Sequence, residues 1–298
     1  VRKLLLISHL SPGDLLMLSA AIRDLHKANP HAFQTDIDVS CPELFENNPY
    51  ITKLKWEKVD LDDVDVEVGP DEELIKEHKF KIIKKEDIQV IKCDYGGNFQ
   101  ASIDHSNNGA YHFIHGYAQF LEQKLGVSIP ITEFNGDIHI SDEEKGWMSQ
   151  IEEFGVKHNF WIMMAGGKFD FTTKWWDPKK YQKIVDHFAG KILFIQCGEK
   201  FHFHPHLKGA VNLVGRTSLR QFIRLMYHSV GVICPITFAM HLSAAVPMKS
   251  NDNFGNRLPP HRPCIVIAGG REPVQWEAYP FHQYLHRTGM LWCCTDGG

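Results

Sequence analysis

The sequence predicts an α/β protein with two parallel sheets, each covered on both faces, and three observations lead there. Apolar runs of strand length alternate with amphipathic segments of helical period along nearly the whole chain. The alternation breaks over a polar stretch between Ser128 and Asn159 and then restarts, which divides the chain into residues 1–140 and 141–298. The segments after the strand-like runs, "SPGD", "AGGKFDFTTKWW", "CGEKFHFHPH", "VGRTS", "PITFAMH" and "AGGREPVQW", are the least hydrophobic in the pattern. Parallel sheets of this kind bind ligands beyond the carboxyl ends of their strands, so two of them facing each other make a cleft lined by these segments.

Each element has its own justification. "LLLI" from Leu4 to Ile7 reads as a buried strand, and the Ser-Pro-Gly turn after it opens a helix carrying Leu15, Leu16, Leu18, Ile22 and Leu25 on one side. Asp14, at the turn, is placed either to cap that helix or to do chemistry. "TDIDVSC" alternates as a short strand. The charged stretch from Glu57 to Asp87 reads as a solvated edge excursion of the sheet, and no chemistry is assigned to it. "IQVIKCDY" is another strand. Phe113, Tyr117, Phe120, Leu121 and Leu125 recur at helical spacing before a stop at Gly126. Ser141, followed by acidic residues, caps a short polar helix in the connection. In the second half, "FWIMMAGG", "KILFIQCG", "VGVICP" and "CIVIAGG" are strands. Asp177 and Ser218 cap two helices, and "TFAMHLSAAV" opens a third.

Composition narrows the function classes. The 32 Lys and Arg against 36 Asp and Glu give a formal charge of -4 without a long basic block, so no nucleic-acid partner is expected. No apolar segment is long enough to cross a bilayer and the N-terminus has no secretory pattern, which predicts a cytoplasmic protein. The seven Cys are scattered and read as reduced thiols rather than a disulfide framework. A start at Val1 and a stop at "CCTDGG" suggest part of a longer polypeptide. No Walker A or GxGxxG pattern occurs, which speaks against a P-loop hydrolase or an ordinary dinucleotide dehydrogenase.

Three segments carry candidate chemistry. "AGGKFDFTTKWW" offers backbone N–H groups, two Thr hydroxyls and Lys174 that could surround a diphosphate, or else is a surface loop with a Lys in water. "PITFAMHLSAA" places Thr237 and a helix N-terminus beside His241, which either donates to a phosphate oxygen or serves as a structural hydrogen-bonding residue. "FHFHPH" spaces His202, His204 and His206 at alternate positions as for a metal, although Pro205 argues against a regular strand.

Taken together and in order, "PGDLLMLSAAIRDLHKANPH", "NNPYITKL", "KWWDPKKYQKIVDHF", "NLVGRTSLRQFIRLM" and "MHLSAAV" resemble the family 9 glycosyltransferases, the ADP-heptose-dependent heptosyltransferases. The resemblance implies a GT-B fold of two facing Rossmann-like domains, acceptor side first and nucleotide-sugar side second. It also implies an inverting transfer from ADP-heptose to an acceptor hydroxyl of a saccharide or a protein, with no catalytic metal. On it, Asp14 is the catalytic base. Gly13, Gly167, Thr173, Lys174, Gly198, Glu199, Thr217, Thr237, Met240 and His241 serve the donor, and Trp176 accompanies Lys174. The family's Asp-Thr-Gly-x-x-His pattern falls on "ITFAMH", with Ile236 in place of Asp and Phe238 in place of Gly.

The closing segment "AGGREPVQWEAYPFHQYLHRTGMLWCC" resembles the branch that modifies autotransporter proteins. That resemblance implies a structural iron or zinc near the C-terminus, with Cys293 and Cys294 among its ligands, and an oligomer is compatible with it. Arg271 is expected to grip the diphosphate, or else to pair with Glu272 or Glu277 at the surface. A nucleotide-sugar-binding scaffold without transferase activity is the alternative reading, suggested by Ile236 and Phe238.

Overall fold

The computed structural model describes residues 1–93, 112–155, 157–169, 174–269 and 274–287. β1 (Arg2–Ser8) is the middle strand of a parallel sheet in the order β2-β1-β6, with β2 (Phe33–Val39) and β6 (Gln89–Lys92) on either side. Its side chains alternate between two separate apolar layers, as the two-residue period of a strand requires. Leu4 and Leu6 pack with α1 (Pro12–Ala28) and α2 (Phe113–Leu125). Leu5 and Ile7 point the other way.

What meets Leu5 and Ile7 corrects the expectation for the charged stretch. It is no loose edge: β3 (Trp56–Asp60), β4 (Glu72–Ile75) and β5 (Phe80–Lys84) form an antiparallel sheet in the order β3-β5-β4. Ile75, Phe80 and Ile82 pack with Leu54 and Ile88 onto Leu5 and Ile7. Lys81 alternates with those apolar positions and pairs with Glu72 at 2.8 Å. One face of the first sheet is therefore covered by a second sheet instead of helices.

The second half is a parallel sheet in the order β12-β11-β10-β7-β8-β9. Its strands are β7 (Phe160–Met163), β8 (Leu193–Gln196), β9 (Val211–Asn212), β10 (Gly231–Cys234), β11 (Cys264–Ile267) and β12 (His282–Leu285). This is a doubly wound arrangement whose order reverses between β7 and β10, the place where such sheets leave a crevice for a ligand. The helices in chain order are α3 (Asp142–Gly146) in the connection, then α4 (Pro178–His187), α5 (Leu219–His228), α6 (Phe238–Ala245) and α7 (Val274–Glu277). Asp177 caps α4 through the Lys179 amide, and Ser141 and Ser218 each form reciprocal capping boxes with Glu144 and Gln221. Gly126 ends α2 with φ 68°, as its position predicts.

The connection is held between the halves. Arg23 on α1, nearly fully buried, pairs with Asp24 and donates to the carbonyls of Glu133 and Asn135. Asn135 in turn donates to the Ala244 carbonyl at the end of α6. The largest apolar cluster is continuous from Leu4 and Leu16 to Ile162 and Met240. Among the described residues no helix is long and apolar enough to cross a membrane, and Cys41, Cys93, Cys197, Cys234 and Cys264 are free thiols.

Candidate active site

The ends of β1, β7, β8 and β10 converge on one cavity of about 640 Å³. From the first half it takes the turn after β1. Pro12 sits at the first position of α1, where its fixed φ suits a helix start, and Ser11 is the N-cap. Asp14 is thus not the cap but lies in the first helical turn. The Ser11 hydroxyl makes no capping bond; it accepts instead from Lys168 Nζ across the cleft at 2.9 Å.

From the second half come two loops fastened to each other. Gly167 and Phe203 exchange backbone hydrogen bonds, each of 3.0 Å, joining the loops after β7 and β8. A Cβ on Gly198 would fall 2.3 Å from His204 Nε2, so only glycine lets that ring close over the strand end. Trp175 stacks on Phe203 with centroids 4.2 Å apart. Burial pulls the His204 imidazole down to about 4, with His202 adding to the effect and Glu199 opposing it.

Thr237, at the end of β10, is the N-cap of α6 but its side chain makes no capping bond, which leaves the hydroxyl for a ligand. His241, one turn into α6, is almost fully buried, with its ring edge against Gly13. Its Nδ1 lies 2.8 Å from the Tyr279 hydroxyl and its Nε2 is 4.0 Å from a Glu277 carboxylate oxygen. Burial lowers its pKa well below the usual value, with His112, Lys174 and His282 adding to the effect, so the ring is neutral.

The structure therefore brings together Asp14, Gly13, Gly167, Lys174, Gly198, Glu199, Thr217, Thr237 and His241 around one cavity. Met240 is buried in the core and does not line it. Thr173, Arg271, Cys293 and Cys294 lie outside the described residues. Glu277, one of the surface partners considered for Arg271, is buried at 7 % exposure and lines the cavity. Ile236 and Phe238 also line it, Phe238 resting against Phe222 at 6.0 Å. His202 and His204 reach the cavity while His206 is exposed, so the alternating histidines do not converge. Among the described residues no group of three or more His, Cys, Asp or Glu is placed to hold a metal ion.

Lys168, Ser11, Glu277 and Tyr279 were not singled out for the site by the sequence. Their roles depend on pairings across the cleft or the second sheet, which no local pattern signals.

Comparison with known proteins gives the family and the fold. The family model described as glycosyltransferase family 9 (heptosyltransferase) matches residues 96–259, more than half of the chain. The chain belongs to that family. It is a glycosyltransferase. No curated protein matches it significantly.

Solved structures carry the fold. A family 9 glycosyl transferase from Veillonella parvula DSM 2008 superposes with a TM-score of 0.59 at 12% identity, over 97% of this chain and 88% of that one. Heptosyltransferase WaaC of E. coli, determined with ADP, gives 0.56 at 13% identity, over 96% and 94%. The dodecameric, iron-containing glycosyltransferase TibC from enterotoxigenic E. coli H10407 gives 0.55 at 11% identity. This chain covers 94% of itself but 61% of TibC in that match. These likenesses give the glycosyltransferase a GT-B-type fold of Rossmann-like sheets. The turn carrying Asp14 and the segment carrying Glu277 and Tyr279 fall outside the family match.

Proposed function

We propose that this glycosyltransferase moves heptose from ADP-heptose to an acceptor hydroxyl, with inversion and with Asp14 as the base. The observation that carries the reading is the shared cavity, where a carboxylate on the first half faces Lys174, Thr237 and the α6 N-terminus on the second. The WaaC structure with ADP and a TibC structure with ADP-D-beta-D-heptose support the choice of donor. In this reading residues 1–140 present the acceptor and residues 141–298 hold the nucleotide sugar.

The chemistry follows from charge. As the acceptor oxygen bonds to the anomeric carbon, its proton passes to Asp14, and the bond from that carbon to the diphosphate breaks on the opposite face. The negative charge gathering on the departing diphosphate is met by the Lys174 ammonium, the Thr237 hydroxyl and the first amides of α6. A hydroxyl on either a saccharide or a protein side chain satisfies Asp14, and the reaction is placed in the cytoplasm. An oligomer, and a structural iron or zinc at Cys293 and Cys294, belong to the same proposal; mass measurement in solution and elemental analysis test them.

The central experiment is Asp14→Asn, which keeps the side-chain shape and removes the base. Transfer from ADP-heptose should fall by about 10²- to 10⁴-fold while donor affinity is retained. A variant that transfers within a few-fold of the parent overturns the role of Asp14. Lys174→Ala should weaken donor binding and slow transfer together. A parent protein that binds ADP-heptose but transfers to neither protein nor saccharide acceptors is instead the scaffold that Ile236 and Phe238 suggested.

A further inference from the structure

Three elements enclose His241: α6 carries it, Gly13 of α1 touches its ring edge, and the chain around the end of α7 brings Tyr279 and Glu277. All three side chains belong to residues less than a tenth exposed. The two ring nitrogens meet different chemistry. Nδ1 faces a phenol at 2.8 Å and Nε2 faces a carboxylate oxygen at 4.0 Å. A neutral imidazole carries one N–H and one lone pair. With the hydrogen on Nδ1, the Nε2 lone pair would be turned toward a carboxylate, and the Tyr279 hydroxyl would have to donate elsewhere. With the hydrogen on Nε2, Tyr279 donates to Nδ1 and the Nε2–H is turned toward the carboxylate oxygen, which at 4.0 Å is beyond hydrogen-bond length but favours an N–H over a lone pair.

We propose that Tyr279 is a positioning residue that holds His241 in its Nε2–H form, so that the ring offers a neutral N–H to an anionic diphosphate oxygen of the donor. The ligand in this statement rests on the reading above; the tautomer does not. Glu277 is the resting neighbour of that N–H, and a diphosphate oxygen takes over when the donor enters. The groups facing the pair are Asp14, His112, Lys174, Glu277 and His282. Burial keeps the imidazole from protonating, with His112, Lys174 and His282 adding to the effect. Burial also raises the Tyr279 phenol, with Glu277 and then Asp14 adding, so it stays protonated and able to donate. The donor's hold on His241 is therefore constant between pH 6 and pH 8, whereas a solvent-exposed histidine would gain charge across that range.

The test reads the ring directly. Nitrogen-15 NMR of the histidine side chains, with the His241 signals assigned by their loss in His241→Gln, should show Nδ1 unprotonated and Nε2 protonated, unchanged from pH 8 to pH 5.5. Tyr279→Phe keeps the aromatic contact and removes only the hydroxyl. It should shift the Nδ1 signal and raise the KM for ADP-heptose about fivefold to tenfold, with the acceptor KM unchanged, the loss expected for one oriented hydrogen bond. A parent signal with the hydrogen on Nδ1, a titration near 6.5, or a Tyr279→Phe protein with unaltered signals and donor KM would each overturn the proposal. Should the parent fail to bind ADP-heptose, the functional reading falls, and the NMR result still decides the tautomer.

Discussion

At Gly13 the absence of a side chain decides where His241 can stand. A Cβ there would lie 2.8 Å from His241 Cδ2, inside any real contact. Alanine in a helix is otherwise favoured over glycine by at most about 1 kcal/mol, whereas pushing a buried ring out of its place costs about 1–3 kcal/mol. The overlap wins, so Gly13→Ala should lower stability by about 1 kcal/mol and weaken donor binding; an unchanged urea midpoint with unchanged ADP affinity would show that the ring moves freely. The Gly-Asp pair at this turn was legible in the sequence because strand, turn and helix follow one another within a dozen residues. Tyr279 was not, because it reaches His241 from 38 residues away through the return of the sheet.

Arg220 decides how α5 is tied to the rest of the protein. Its side chain is mostly buried, pairs with Glu144 of α3 through Nε at 2.9 Å and through a second guanidinium contact, and donates to the carbonyls of His139 at 3.1 Å and Glu43 at 3.3 Å. Burial raises the Glu144 carboxyl, but the bonds from Arg220 and from Ser141 outweigh it and leave its pKa lowered. Arg220→Ala would leave that buried carboxylate without its guanidinium, a loss of about 3 kcal/mol. Chemical unfolding measures it, and Arg220→Lys should recover only part because lysine cannot make the forked contact. The helix ends were legible one by one, since Ser141, Asp177, Ser218 and Gly126 act over three or four residues. The antiparallel sheet was not: its strands carry as many charged residues as apolar ones, and Ile75, Phe80 and Ile82 matter only once Leu5 and Ile7 are seen to need a cover.

For the whole molecule, stability should depend on pH through its buried histidines. Burial brings His112 and His228 down to about 4, the latter with help from Lys249, and drives His241 well below its usual value. Below pH 6.5 the unfolded chain binds protons that these folded rings refuse, so stability is complete above pH 6.5 and declines as the pH falls toward about 4. Each ring contributes up to about 1.4 kcal/mol per pH unit in that window. Urea midpoints at pH 7.5, 6 and 5 check this, and a midpoint that stays level to pH 5 would mean the rings titrate normally. The cleft works at the same scale. Lys168 reaches Ser11 across it, and Asn135 ties the connection to α6, so the two halves meet through specific bonds as well as through a continuous core.

The sequence by itself determined the alternation of strands and helices, the restart after the polar connection, and the turns where the candidate site residues sit. These are local properties, written in periods of two and 3.6 and in capping residues that act within a turn. Only the tertiary structure decided that Asp14 and Lys174 share a cavity, that Ser11 and not Asp14 stands at the N-cap position of α1, and that Glu277 is buried beside His241. The physical reason is distance along the chain. A carboxylate's surroundings are set by whatever the fold packs against it, and Glu277 meets His241 of α6 and His112 just before α2, far away in sequence and in contact only once both halves have folded.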